Sequence, residues 1–143
     1  MMLIEHLALI TAAAFAGAAI LINVAEQPAR LALTDGPCLV QWQRSYGRAA
    51  PMQAGLVLAS AVLGLLAAWV TRDWRWALGA LLILVNVPYT LLVIKPVNDR
   101  LHGFTEAQAG AETRGLISSW GRLHAGRSAL GVAATLVYLW ALR

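Results

Sequence analysis

The sequence predicts an all-α fold, an integral membrane four-helix bundle with short amphipathic helices in its two longer loops. Of 143 residues, 59% are hydrophobic and only 13% charged, where soluble domains carry about 25% charged residues. Four apolar runs, at about 3–24, 51–71, 76–94 and 124–142, approach the roughly 20 helical residues that cross about 30 Å of hydrocarbon. None alternates polar with apolar residues as a barrel strand does, which leaves the helix to satisfy a spanning backbone in lipid. The chain, 1–143, reads as one transmembrane domain.

Run one is rich in small residues (Ala12 to Ala14, Gly17 to Ala19), which allow close helix contact. Glu5 and His6 precede it instead of Lys or Arg, and it continues past the weakly cleavage-like Ala14-Phe15-Ala16. It therefore reads as a retained span, not a secretory signal. Its end, Asn23-Val24-Ala25-Glu26-Gln27-Pro28-Ala29-Arg30, puts Asn23, Glu26 or Gln27, and Arg30 on one stripe while helix lasts. Pro28 is expected to kink or end that helix and free backbone carbonyls. In residues 25–50, Leu39, Trp42 and Tyr46 recur at helical spacing after Asp35-Gly36-Pro37. They predict a short helix lying on the membrane, with Trp42 and Tyr46 as interface anchors.

Run two opens with Gln53, and Arg72-Asp73-Trp74-Arg75 then forces an antiparallel hairpin with run three. Trp69, Trp74, Trp76, Tyr138 and Trp140 read as an interfacial belt on that side. Run three holds Asn86-Val87-Pro88-Tyr89 near mid-depth, with Asn86 and Tyr89 one turn apart. Residues 95–119 begin Lys95-Pro96-Val97-Asn98-Asp99-Arg100 and pass a soft polar segment at 103–110. Helix resumes near Ala111 and leads into run four. Runs one and three both end in Pro followed by Arg-Leu (Arg30-Leu31; Arg100-Leu101), but at different spacings, and the echo reads as coincidence.

With four spans, the termini and hairpin share a face holding Arg72, Arg75 and Arg143. The other face holds Arg30, Arg44, Arg48, Lys95, Arg100, Arg114, Arg122 and Arg127. Positive-inside bias places that face in the cytoplasm, as in a multi-pass protein of a bacterial inner membrane. The net charge of +4 is scattered, with no basic tract or base-stacking platform, so nucleic acid is not an expected partner. Cys38 is alone and can form neither an internal disulfide nor a thiolate zinc site.

The chemistry concentrates in Trp120-Gly121-Arg122-Leu123-His124-Ala125-Gly126-Arg127. Trp120, His124 and Arg127 share one helical stripe, Arg127 about 4.5 Å deeper than His124. A charge at such depth costs roughly 2.5–3.5 kcal/mol and faces other helices or a wet cavity. A neutral imidazole can accept a proton near physiological pH, as a general base must. Structural ion pairing competes as a reading for Glu26, Arg30 and Arg127, and cross-helix hydrogen bonding for Asn23, Gln53 and Asn86. His6 starts at the opposite face from His124, and no close-spaced ligand pair accompanies His102 or His124. No metal site is expected, and haem is a weak alternative.

Pro88-Tyr89-Thr90-Leu91-Leu92-Val93-Ile94, Pro96-Val97-Asn98-Asp99-Arg100-Leu101 and Trp120-Gly121-Arg122-Leu123-His124 with Arg127 resemble, in order and spacing, the small bacterial membrane proteins grouped with the anthrone oxygenases. Glu26-Gln27-Pro28-Ala29-Arg30-Leu31, Trp42 and Tyr46 are similar too. The resemblance implies a four-helix membrane fold and, from fungal members, oxidation of an anthrone to an anthraquinone by molecular oxygen without a conventional cofactor. Gln27 stands where a His is expected, so any role of that His in relatives is absent here. On this basis His124 is the expected base, and Arg127 and Arg30 stabilise an enolate oxygen. Asn23 and Asn86 orient the carbonyl, Trp120 and Tyr89 line an apolar cleft, Asn98 and Gln53 contact substrate, and Glu26 holds an arginine. The expected partners are the bilayer and a lipophilic aromatic molecule. A quinone- or lipid-binding module, or a subunit of a homo-oligomer or larger membrane complex, is the competing expectation.

Overall fold

A computed structural model of the protein describes residues 2–143. It is all helix, with no strand among the described residues, and has four long rods: α1 (Met2–Leu31), α2 (Asp35–Thr71), α3 (Trp74–His102) and α4 (Ala111–Ala141). Three of them, α1 to α3, are long and apolar enough to cross a membrane. The fourth matches their length but carries Arg114, Arg122, His124 and Arg127 between its start and its middle turn.

Each rod packs on its two neighbours around a ring, α1 on α2 and α4, α3 on α2 and α4. Neighbours run antiparallel, since Ala8 meets Ser60 while Glu26 meets Ser45, and Asn23 meets His124 while Phe15 meets Gly131. One end collects the termini and the α2–α3 turn, where Arg72 takes a left-handed φ of 58°. The other end collects the two longer connections. There Arg114 binds Asp35 at 2.7 Å and the carbonyls of Leu31 and Leu33, closing the C-terminus of α1.

Several expected boundaries move. No separate surface helix occupies 25–50: Leu39, Trp42 and Tyr46 belong to the first turns of α2, which runs on through Pro51. The hydrogen bond that Pro51 deletes would have gone to Gly47, and both residues face outward. Trp42 is 0% exposed, not an interface anchor, because it packs among Tyr46, His102 and Trp120 at centroid distances of 5.1, 5.1 and 5.7 Å. The belt also loses two members. Trp69, Trp74 and Trp140 are exposed, but Trp76 and Tyr138 lie against each other in the core, their rings tilted by 31° at 5.3 Å.

The echo between runs one and three has a structural counterpart. Pro28 and Pro96 each follow a five-residue π turn, Ile22–Glu26 and Thr90–Ile94, closed by Gln27 N–H on Ile22 O and Lys95 N–H on Thr90 O. A helix-interior proline clashes with the carbonyl four residues back, and widening the preceding turn relieves that clash. The first π turn directs Asn23 toward α4, and the second sets Thr90 in the space between α2 and α3.

Candidate functional site

α4 contributes the central stripe. Trp120, His124 and Arg127 are all buried on its inner face, and the Trp120 and His124 rings lie 4.8 Å apart. Asn23, carried on the π turn of α1, donates from Nδ2 to Gly121 O at 2.8 Å, which fixes which end of its amide is oxygen. Its Oδ1 then accepts from Ser128 Oγ and from His124 Nδ1, both at 2.8 Å. Nδ1 must therefore carry a hydrogen, and in the neutral ring Nε2 holds the free lone pair. His124 is 1% exposed.

Two guanidinium groups flank this imidazole with one carboxylate between them. Arg30 pairs with Glu26 at 2.9 Å, Ser45 donates to the same carboxylate oxygen at 2.8 Å, and the Arg30 cation lies 5.4 Å from the centre of the Trp120 ring. Arg127 has no such partner. It is 8% exposed, sits 5.4 Å from the Phe15 ring centre, and makes no hydrogen bond or ion pair among the described residues. Gln53 is 1% exposed, and its Nε2 likewise meets no acceptor; the same holds for Arg30 Nε. Buried polar groups are ordinarily satisfied, and an unpaired buried cation is expensive. Three unmet donors, Arg127 Nε, Gln53 Nε2 and Arg30 Nε, thus belong to residues around one imidazole, a donor set that an acceptor oxygen would satisfy.

These residues line two adjoining spaces. An inner chamber of about 10 Å³ is bounded by Arg30, Ser45, Tyr46, Gln53, Trp120, His124 and Arg127 among others, room for about one water molecule. An outer groove of about 330 Å³ lies between α2 and α3 and shares Tyr46, Ala50 and Arg127 with the chamber. The shared Tyr46 is set by a relay: Trp120 Nε1 donates to Asn98 Oδ1 at 2.8 Å, and Asn98 Nδ2 to the Tyr46 hydroxyl at 2.9 Å.

The candidate residues thus sort by place. His124, Arg127, Arg30, Gln53 and Trp120 converge on the chamber. Glu26 stands one bond behind Arg30, Asn98 behind Trp120, and Asn23 behind His124 with its amide fully engaged. Asn86 does not reach the chamber. Its Nδ2 binds Ile83 O at 3.1 Å, and its unmet Oδ1 belongs to the outer groove. Tyr89 spends its hydroxyl on Leu123 O at 2.7 Å and packs on Gly126, so it joins α3 to α4 instead of lining a cleft. Gln27 binds Ile117 O at 2.8 Å, a cross-helix tie outside the chamber. Sequence reasoning missed Ser45, Ser128, Ala50 and Thr90; the three hydroxyls carried a signal, adjoining Tyr46, Arg127 and Tyr89, and Ala50 carried none. Among the described residues no three of His, Cys, Asp and Glu group closely enough to hold a metal ion.

A family model described as anthrone oxygenase matches residues 42–137, well over half of the chain. The chain belongs to the anthrone oxygenase family. The match takes in the chamber residues of α2 and α4 and the groove residues of α3, while Asn23, Glu26 and Arg30 on α1 precede it. No curated protein and no solved structure matches the chain. Within this anthrone oxygenase family member, the matched segment thus holds the base candidate His124 and the unpaired Arg127, and α1 supplies the groups that position or balance them.

Proposed function

We propose that the protein is a multi-pass membrane oxidase of a lipophilic anthrone- or phenol-type aromatic, with molecular oxygen as co-substrate and no resident cofactor. All four helices cross the membrane as a four-helix bundle, in a bacterial inner membrane, with the two longer connections on the cytoplasmic side. The observation that carries the reading is Arg127, a buried guanidinium without an acceptor, beside His124 and Gln53.

The chemistry follows from those groups. The enol tautomer of a methylene conjugated to a carbonyl loses its hydroxyl proton to His124 Nε2 through the one water the chamber has room for, leaving an enolate whose oxygen faces Arg127. Arg127 donates to that oxyanion directly, and Arg30 and Gln53 hold the chamber water beside it. The enolate passes an electron to oxygen and the two radicals join as a carbon-bound peroxide, which takes the proton back from His124. Loss of the second methylene proton with departure of hydroxide leaves the new carbonyl and one water. The methylene gives up four electrons; one oxygen atom ends in the quinone and one in water.

Purified protein in nanodiscs is expected to consume one oxygen per anthrone, faster than the solution background, with anthraquinone as product. His124→Ala should lower turnover by about 10² to 10⁴-fold with an unchanged elution profile. A folded His124→Ala protein with full turnover, or no oxygen uptake by the native chain with any anthrone, would sink the proposal. The family membership and the unmet donors favour this reading over a purely structural subunit, whose buried charges would be paired.

A further inference from the structure

The inner chamber has room for one water-sized molecule, and a fused-ring aromatic cannot enter it. The ring of any such ligand must lie elsewhere. The outer groove, about 330 Å³, falls within the range of small-molecule sites. One wall is α2, where Ala50, Ala54 and Leu58 follow at successive turns. The other is α3, where Val87 and Leu91 stand beside Asn86 and Thr90.

The two ends of the groove differ. Leu58, Val87 and Leu91 at its mouth are exposed apolar residues on helices apolar enough to cross a membrane. Its inner end holds the unpaired Arg127, with Asn86 Oδ1 and Thr90 Oγ1 also buried and unmet. An apolar slot closed by a cation without an acceptor complements a ring bearing a carbonyl oxygen. A lipid acyl chain would fill the slot and leave Arg127 unanswered.

We infer that this α2–α3 groove is a lateral binding site for the ring body of a flat lipophilic carbonyl compound that enters from the hydrocarbon, its oxygen on Arg127. The inner chamber takes a single small molecule, water or oxygen, between that oxygen and His124. Ala54, open on the groove wall, sets the ring size admitted. The inference rests on the proposed function for the identity of the reacting end, and on the groove itself for the place of the ring.

Tritiated 9,10-anthraquinone separates the two, because it has the ring and the carbonyl but no methylene proton to lose. Its binding to the protein in phosphatidylcholine nanodiscs is expected to saturate. Ala54→Phe, at an exposed position where folding tolerates bulk, should weaken binding at least tenfold, while Leu136→Phe on the outer face of α4 should not. No saturable binding by the native chain overturns the inference. So does an Ala54→Phe protein that binds as the native one, or displacement of the label by equimolar hexadecanol, which marks an acyl-chain slot. Saturable binding without oxygen uptake from anthrone defeats the proposed reaction and leaves the groove standing; oxygen uptake untouched by Ala54→Phe does the reverse.

Discussion

At the end holding the termini, Tyr138 donates to Ser60 O at 3.0 Å, Ser60 donates to Ala8 O at 3.2 Å, and the Tyr138 ring lies against Gly64 and Gly79. Every buried polar atom in that set has its partner, and small residues let the backbones close on it. At the other end the same four helices enclose Arg127, Arg30, Gln53 and Asn86 with polar atoms that meet nothing in the protein. One end is a closed core, and the other keeps buried polar atoms that have no partner in the protein. Both ends have buried polar residues, but the unmet hydrogen-bonding capacity lies away from the termini.

The sharpest way to break the comparison is Arg127→Met, which keeps the length of the side chain and removes the charge. If Arg127 serves a ligand, turnover should fall by about 10²–10³-fold, the usual loss for one oxyanion donor. Thermal unfolding in detergent should stay level or rise, because an uncompensated buried cation has gone. A fall in melting temperature with native turnover would make Arg127 structural and erase the difference between the ends.

Gly79→Ala tests the opposite end. A methyl group there would overlap the Tyr138 ring, and overpacking of this kind costs about 1–3 kcal/mol. The expected result is lower stability with anthraquinone affinity unchanged in the protein that remains folded, and partial rescue by Tyr138→Leu. Loss of affinity at full stability would mean that the closed end is coupled to the site.

This contrast also explains what could be read from the chain. Apolar runs located the helices, because hydropathy records depth along an axis, and Trp120, His124 and Arg127 could be grouped because one helix carries them at fixed spacing. Rotation about the axis is not recorded in the same way. Trp76 and Tyr138 differ from Trp74 and Trp140 by which way they face, so all four looked like a belt. Asn86 sits at a depth suited to His124, yet the azimuth of α3 turns it into the groove. The helix ends were misjudged for a related reason. Residues 35–50 and 95–102 are too polar to be counted as spanning, but they continue α2 and α3 because Trp42, Leu101 and Trp120 bury one another past the apolar runs.

The smallest expected effect lies in the α2–α3 turn of the closed end. Asp73 caps α3 by accepting from Arg75 N at 3.0 Å and holds the Arg75 side chain at 2.6 Å, while Arg75 reaches Trp140 O at 2.9 Å. The Arg75 side-chain hydrogen bonds hold the Asp73 carboxyl below its ordinary 3.8, helped by the backbone N–H and opposed by desolvation. A carboxylate with a depressed folded value stabilises the fold above its unfolded value, and that contribution is lost as pH falls through the folded one. Asp73→Ala should cost about 1 kcal/mol near neutral pH, as expected for an N-cap, and Asp73→Asn less, since an amide still caps. The Asp73→Ala deficit should hold steady above the unfolded value of 3.8 and shrink once the pH drops below it. Anthraquinone affinity should not move with either variant. A deficit that grew on acidification would show that the Asp73 carboxyl binds its proton more tightly in the folded chain, and would remove the ion pair from the account of how this end is closed.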